Sequence, residues 1–291
     1  MKDYVILTDS GCDLPEDLVK DLDVNYIGLV CLFKGSEYIE DCGQSLSYKD
    51  FYKGIREGEQ PTTGQVNSYR FVQEFEKHVE ANKAIVYISF SSALSGTYSS
   101  SLVARNEVLE KYPDADITVF DSKAASGGHG LLVYLAAKKR QEGATKEELV
   151  TWLEENYLKV NSYFFVEDLN HLRRGGRISS TSAIVGGLLN IKPVLHVNEE
   201  GKLINIAKAK GRKKAIKYLL DSLERKIVNS ENQTIIITHA DCLEDAEGLA
   251  TSLKESIKVK EVIINYIGCA IGSHTGADAM TVFFLGNDRN P

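Results

Sequence analysis

Little in this chain of 291 residues points to a nucleotide, a metal or a membrane. No G-x-G-x-x-G follows a strand-like run and no Walker A loop is present, which removes the common phosphate cradles. H-E-x-x-H, G-x-S-x-G and a paired-carboxylate signature are also missing, and His129, His239 and His274 are too scattered for metal-ligand spacing. The five cysteines (12, 31, 42, 242 and 269) are odd in number and include no C-x-x-C pair. That argues against a disulfide framework or a zinc site and for reduced thiols in a cytoplasmic protein. Only 5 prolines occur and no Gly/Ser linker stands out, so long disordered segments are not expected. The longest apolar runs, such as Ile27 to Phe33, are far too short to span a bilayer. The first residues turn acidic within nine positions, unlike a signal peptide. Lys plus Arg number 34 against 41 Asp plus Glu, a formal charge of −7, which argues against nucleic acid as the main partner.

What is present is an ordinary globular composition, 43% hydrophobic and 26% charged. Tyr4 to Thr8, Ile27 to Phe33, Ala84 to Ser89 and Ile117 to Phe120 read as apolar strands. Helical patterns lie between them, starting near Glu16, Ser47, Asn67, Thr97 and Leu131. This alternation predicts an α/β fold with a parallel sheet covered on both faces. Ligands of such sheets collect at the carboxyl ends of the strands, where loops 8–13, 90–97 and 121–130 fall. Thr145-x-x-Glu148 is a capping box. After it the texture changes: strands at 163–166, 192–197, 203–209, 234–238, 262–268 and 280–285, helices at 183–190, 212–227 and 243–256, and a hairpin turn at Asn198 to Gly201. The expected organisation is two α/β domains, 1–160 with a mainly parallel sheet and 161–291 with antiparallel pairing, and a ligand site between them.

Several segments could carry chemistry. Ser91-Ser-Ala-Leu-Ser-Gly-Thr97 sets four hydroxyls and a glycine at a predicted helix start, a place that suits an anion. Pro61-Thr-Thr-Gly-Gln65 is a second hydroxyl-rich loop before a helix. Ile267 to Gly276 holds His274 among glycines, and Lys208 to Lys214 is a basic run at a strand-to-helix junction. Each also has a plainer reading: helix caps for the hydroxyls, a structural histidine, a solvated face for the lysines. Gly127-Gly-His-Gly130 reads as a tight strand-to-helix turn. Asp9 and Asp13 read as a cap and a turn rather than as a nucleophile.

Taken together, these segments resemble the DegV family. Thr8-Asp-Ser-Gly-Cys-Asp-Leu14 is similar to its opening T-D-S-x-x-D-L, Thr63-Gly-Gln-Val66 to its T-S-Q-P loop, and Ser91 to Tyr98 to S-S-x-L-S-G-T-Y. The likeness continues through Asp121-Ser122, Leu172-x-x-Gly-Gly-Arg-Ile178, Leu189-Asn-Ile-Lys-Pro193 and Ile271-Gly-Ser-His-Thr-Gly276. The resemblance implies a long-chain fatty acid, such as palmitate, held between two α/β domains. It implies a non-catalytic binding subunit of a bacterial fatty acid kinase, with no metal and no cofactor, which presents the acyl carboxylate to a separate ATP-dependent subunit for conversion to acyl phosphate. By position, Thr63 and Ser95, with Gly96 beside it, would hold the carboxylate. His274 and a basic residue, Lys210 or Arg212, would stand at the mouth. Gly64, Val66, Ala277 and Lys210 depart from the family pattern. The alternative is a stand-alone enzyme acting on a small phosphorylated or carboxylated metabolite, with Asp9, Asp13, Ser95 and His274 as its catalytic groups.

Overall fold

A computed structural model describes residues 3–167, 169–179 and 190–291. The helix expected at 183–190 and the start of the Leu189 to Pro193 motif lie outside the described residues, Asn190 excepted. In chain order the first half comprises β1 (Tyr4–Asp9), α1 (Glu16–Asp21), β2 (Val24–Ile27), β3 (Val30–Phe33), β4 (Ser36–Ile39), α2 (Tyr48–Arg56), β5 (Thr62–Gly64), α3 (Ser68–Glu80), β6 (Ala84–Ser89), α4 (Thr97–Lys111), β7 (Ile117–Asp121), α5 (Gly127–Gln141) and α6 (Lys146–Asn156). The second comprises β8 (Val160–Phe165), α7 (Asn170–Arg174), β9 (Ile191–Val197), β10 (Leu203–Lys210), α8 (Arg212–Lys226), β11 (Thr234–His239), α9 (Leu243–Ser256), β12 (Glu261–Tyr266), α10 (Cys269–Thr275) and β13 (Met280–Leu285).

The first sheet runs β2-β1-β6-β7 with every pair parallel. The second runs β10-β9-β8-β13-β11-β12, antiparallel except for β11 and β12. Strands β4-β3-β5 form a small antiparallel sheet that the sequence reading did not include. It arises because Ile27 to Phe33 is not one strand. At Leu29 the backbone N–H is taken by Ser10 Oγ (2.9 Å) and the carbonyl by the Glu40 N–H (2.9 Å), so the chain leaves the parallel sheet there.

Local signals agree with the elements they start. Asn67 caps α3 through the Arg70 N–H, Ser47 caps α2 through the Asp50 N–H, and both arms of the Thr145/Glu148 capping box close. Burial then assembles the layers. Leu7, Ile85 and Tyr87 pack against Phe71, Phe75, Ala104 and Val108 of α3 and α4. In the second sheet, side chains alternate between faces: Tyr163 and Phe165 join Leu219 of α8 and Leu249 of α9, while Phe164 points the other way.

Helix α5 lies between the two large sheets. Its Leu132 and Ala136 belong to one buried cluster with Ile6 and Val86 of the first sheet and Ile236 and Phe283 of the second. Gly127 and Gly128 are part of this helix rather than a turn before it. A Cβ on either would stand within 3 Å of Phe283, so glycine is what lets the helix approach the second sheet.

Candidate functional site

Where the halves meet lies a cavity of about 210 Å³. The first half supplies loop and strand-end residues to it, among them Leu29, Thr63, Phe90, Ser95, Gly96 and Ser126. The second supplies a sheet face (Phe164, Val197, Leu203, Thr281, Phe283) and the side of α10 that carries Ala270, Ile271, His274 and Thr275. Loops 90–97 and 121–130 thus reach the wall at the carboxyl ends of β6 and β7, as parallel-sheet topology anticipates. Loop 8–13 acts from behind. Asp9 accepts from the Phe90 N–H (2.9 Å) and the Tyr87 hydroxyl (2.7 Å). Asp13 accepts from the Ser126 hydroxyl and the Gly268 N–H (2.9 Å). Both acids are buried in structural roles and neither lines the cavity.

The wall is mostly apolar and has one concentrated polar end. Thr63 sits on β5, paired in register with Cys31 of β3, and its Oγ1 lies 2.8 Å from Nε2 of His274. Ser95 precedes α4. Its Oγ accepts the Thr97 N–H (3.2 Å) and lies 2.9 Å from Thr97 Oγ1. Gly96, the α4 N-cap, lines the cavity, so the N-terminal end of a 15-residue helix borders this region. A Cβ on Gly96 would stand 2.0 Å from Gln65 Oε1, so any larger residue there must displace the Gln65 amide.

Arg177 is the charged residue of the wall, and no acidic side chain lines it among the described residues. Its guanidinium donates to the carbonyls of Leu94 (3.0 Å) and Gly175, which fix it beside Ser95. Burial lowers its pKa from the ordinary value. His274 is pushed down to about 4 by burial and by the neighbouring Arg177, Arg174 and His171, so its imidazole is neutral at pH 7. Its Nδ1 is buried and has no hydrogen-bond partner among the described residues. The arrangement therefore offers two hydroxyls, a neutral imidazole, a helix N-terminus and one guanidinium.

Of the residues singled out from sequence, Thr63, Ser95, Gly96 and His274 come together at this end. His274 belongs to the last turn of α10, not to a loop. Lys210 and Arg212 do not line the cavity. Lys210 ends β10 with its side chain exposed. Arg212 opens α8, and its guanidinium is bound to Asp245, Glu167 (3.2 Å) and the Asp278 carbonyl (2.6 Å), over the Phe165 ring at 5.1 Å. The cation the sequence reading did not single out is Arg177, although it lies inside the Leu172 to Ile178 motif. His129 is structural, its Nε2 lying 2.9 Å from Thr8 Oγ1 and 2.9 Å from the Ile88 carbonyl. All five cysteines are free thiols.

The start of α10 is held from the first half. Glu40 Oε1 accepts the Ala270 N–H (3.4 Å) and its Oε2 accepts the Ser10 hydroxyl (2.9 Å). Burial pushes its carboxyl up to about 7, against the pull of those hydrogen bonds. Further ties cross between the halves. Arg56 binds Asp241 (2.5 Å) and Asp278 (2.7 Å), the Tyr52 hydroxyl donates to the Ile267 carbonyl (2.6 Å), and buried Arg289, held by the Val160 carbonyl of its own half (2.9 Å), donates across to the carbonyls of Lys123 and Tyr157.

The geometry is that of a pocket for an elongated molecule with one anionic end. No group of residues that could hold a metal ion occurs among the described residues, and no helix among them is long and apolar enough to cross a membrane. The chain belongs to the DegV family, which it matches over residues 3–287. A DegV domain-containing protein of Clostridium perfringens is 55% identical to it, over 100% of both chains. Among solved structures, a DegV lipid binding protein from Thermotoga maritima is 30% identical with a TM-score of 0.87, covering 99% of this chain and 100% of that one. A DegV family protein from Thermus thermophilus, described as binding fatty acid, is 29% identical with a TM-score of 0.88, covering 98% and 100%. DegV of Bacillus subtilis, described as a fatty acid binding protein, is 28% identical with a TM-score of 0.84, covering 99% and 100%. The α/β fold with one parallel and one mixed sheet is common to them and to this chain.

Proposed function

We propose that this protein binds a long-chain fatty acid in the cavity between its halves and presents the carboxylate to a separate ATP-dependent kinase subunit, which converts it to acyl phosphate. The observation that carries the first part is the cavity itself: an apolar wall that ends on Thr63, Ser95, His274 and Arg177 and has no acidic lining residue among the described ones. A buried carboxylate needs hydrogen bonds or a countercharge, and this end provides both. Burying each methylene contributes about 0.8 kcal/mol before ordering costs, so the tail supplies most of the affinity and the polar end supplies orientation. The lipid and fatty acids named for the solved relatives support the same reading.

The presenting role rests on the family resemblance and on the lack of any nucleotide cradle in the sequence. Lys210, exposed and outside the cavity wall, suits a charge that steers a partner. Two experiments test the two parts. Mass spectrometry of lipid extracted from the purified protein should find long-chain acid near stoichiometry; a lipid-free protein that does not take up added palmitate would refute the binding role. Purified protein, a candidate kinase subunit, labelled ATP and palmitate should together give acyl phosphate, more slowly with Lys210→Ala at low salt. Absence of product with any such subunit would refute presentation and leave binding intact.

A further inference from the structure

Away from its polar end the cavity wall is interrupted by two hydroxyls, Ser126 and Thr281, each 4% exposed. They belong to one buried cluster. Ser126 Oγ donates to Asp13 and lies 2.9 Å from Thr238 Oγ1, which lies 2.6 Å from Thr281 Oγ1. Thr281 Oγ1 in turn donates to the Thr238 carbonyl (3.2 Å) and accepts the Thr238 N–H (3.2 Å). Ser126 adopts φ 52° and ψ −143°, a backbone region that favours glycine, so a side chain is kept here against the local preference. A hydroxyl has one proton and two acceptor positions. With the Ser126 proton given to Asp13 and the Thr281 proton to the Thr238 carbonyl, the capacity left on these two wall residues is as acceptors.

The cluster's distance from the polar end follows from α10. The Asp13 carboxylate that takes the Ser126 proton also takes the Gly268 N–H, just before the helix, whereas His274 stands six positions further on. At 1.5 Å per residue that is roughly 9 Å. Ala270, Ile271, His274 and Thr275 all line the cavity, so it follows the helix over that length. An extended chain advances about 3.3–3.6 Å for three bonds, so roughly seven or eight bonds separate a carboxylate at His274 from the cluster.

We propose that Ser126 and Thr281 form a second polar subsite that selects acyl chains carrying a hydroxyl near mid-chain, at roughly carbons 7 to 10. The proposal rests on the fatty-acid reading above. A hydroxyl brings the proton the cluster lacks. A ketone at the same place sets lone pairs against lone pairs. A methylene leaves no group of the cluster unpaired, so unsubstituted chains still bind. The test is displacement of a fluorescent fatty acid from the full chain by octadecanoic acid and by its 8-hydroxy, 10-hydroxy and 10-oxo derivatives, in the parent, Ser126→Gly and Thr281→Val. One hydroxy acid should bind about five- to tenfold more tightly than octadecanoic acid, and the oxo acid no more tightly. Within each variant the ratio of hydroxy-acid to octadecanoic acid affinity should fall to about one in one or both; if one variant fails to fold, the other decides. Hydroxy acids binding no better than octadecanoic acid, an oxo acid binding as well as they do, or an advantage that survives in every folded variant would overturn the subsite and leave the fatty-acid reading standing. No binding of octadecanoic acid to the parent would overturn both.

Discussion

The two sheets that meet at the cavity contribute to it in different ways. The parallel sheet offers the ends of its strands: Phe90 and the Leu94 to Gly96 turn after β6, and Ala125 with Ser126 after β7. The mixed sheet offers its broad side, Leu203, Val197, Phe164 and Phe283 from four strands in a row. Strand ends feeding helices carry unsatisfied N–H groups and hydroxyl caps, whereas a sheet face carries every second side chain of an apolar run. A cavity polar at one end and apolar along its length follows from placing one kind of surface against the other.

The comparison breaks most severely if the halves are separated. Arg289→Ala leaves the carbonyls of Val160, Lys123 and Tyr157 without their donor. It should cost roughly 3–5 kcal/mol in urea unfolding, since the buried Val160 carbonyl and the half-buried Lys123 and Tyr157 carbonyls each lose a charged donor, at about 1–3 kcal/mol apiece with overlap. A loss under 1 kcal/mol would show the halves are held elsewhere. Next in size is the strand-end contribution. Thr63→Ala combined with Ser95→Ala should weaken binding of a long-chain acid by roughly 2–4 kcal/mol by calorimetry while the fold survives; unchanged affinity would remove the carboxylate from this end.

Acidity sharpens the comparison further. His196, His239 and His274, all contributed by the second half, are pushed down to about 4 mainly by burial. The unfolded chain therefore binds more protons between about pH 6.5 and 4, and stability present above that window should be lost as pH falls through it. Glu40, from the first half, has the opposite sign. Its carboxyl is raised to about 7, so stability falls as pH rises from the ordinary carboxylate range through 7. Glu40→Gln should be more stable than the parent at pH 8, on the order of 2 kcal/mol, and equal to it at pH 4. Denaturant curves that shift in parallel at both pH values would contradict this. The smallest effect belongs to Arg56→Ala. Its ion pairs with Asp241 and Asp278 are partly exposed, so the loss should be about 1 kcal/mol or less and shrink in high salt.

Much of this was legible because the signals were local. The Thr145 capping box, the Asn67 cap and the apolar run Ala84 to Ser89 each specify an element from adjacent residues, and Thr63, Ser95 and His274 could be placed by motif. What was not legible depends on distant partners. Ile27 to Phe33 divides between two sheets because Ser10 and Glu40 take the backbone groups of Leu29. The glycine-rich stretch around His274 becomes a helix because Asp13 and Glu40 satisfy its first N–H groups across more than 200 positions of sequence. Arg177 is distinguished from Lys210 and Arg212 only by what surrounds it, since Arg212 is taken up by carboxylates and Arg177 by carbonyls.

The order β10-β9-β8-β13-β11-β12 sets the last strand at the centre of its sheet. During synthesis, β8 to β10 and then β11 with β12 leave the ribosome as two separate ribbons, each with an unpaired edge, and only β13 joins them. Such edges invite pairing with other chains until they are covered. Thr281 and Phe283, which complete the cavity wall, arrive on that same strand. Closure of the sheet and readiness to receive a ligand are therefore one event, so a chain stopped before residue 280 would be both sticky and empty.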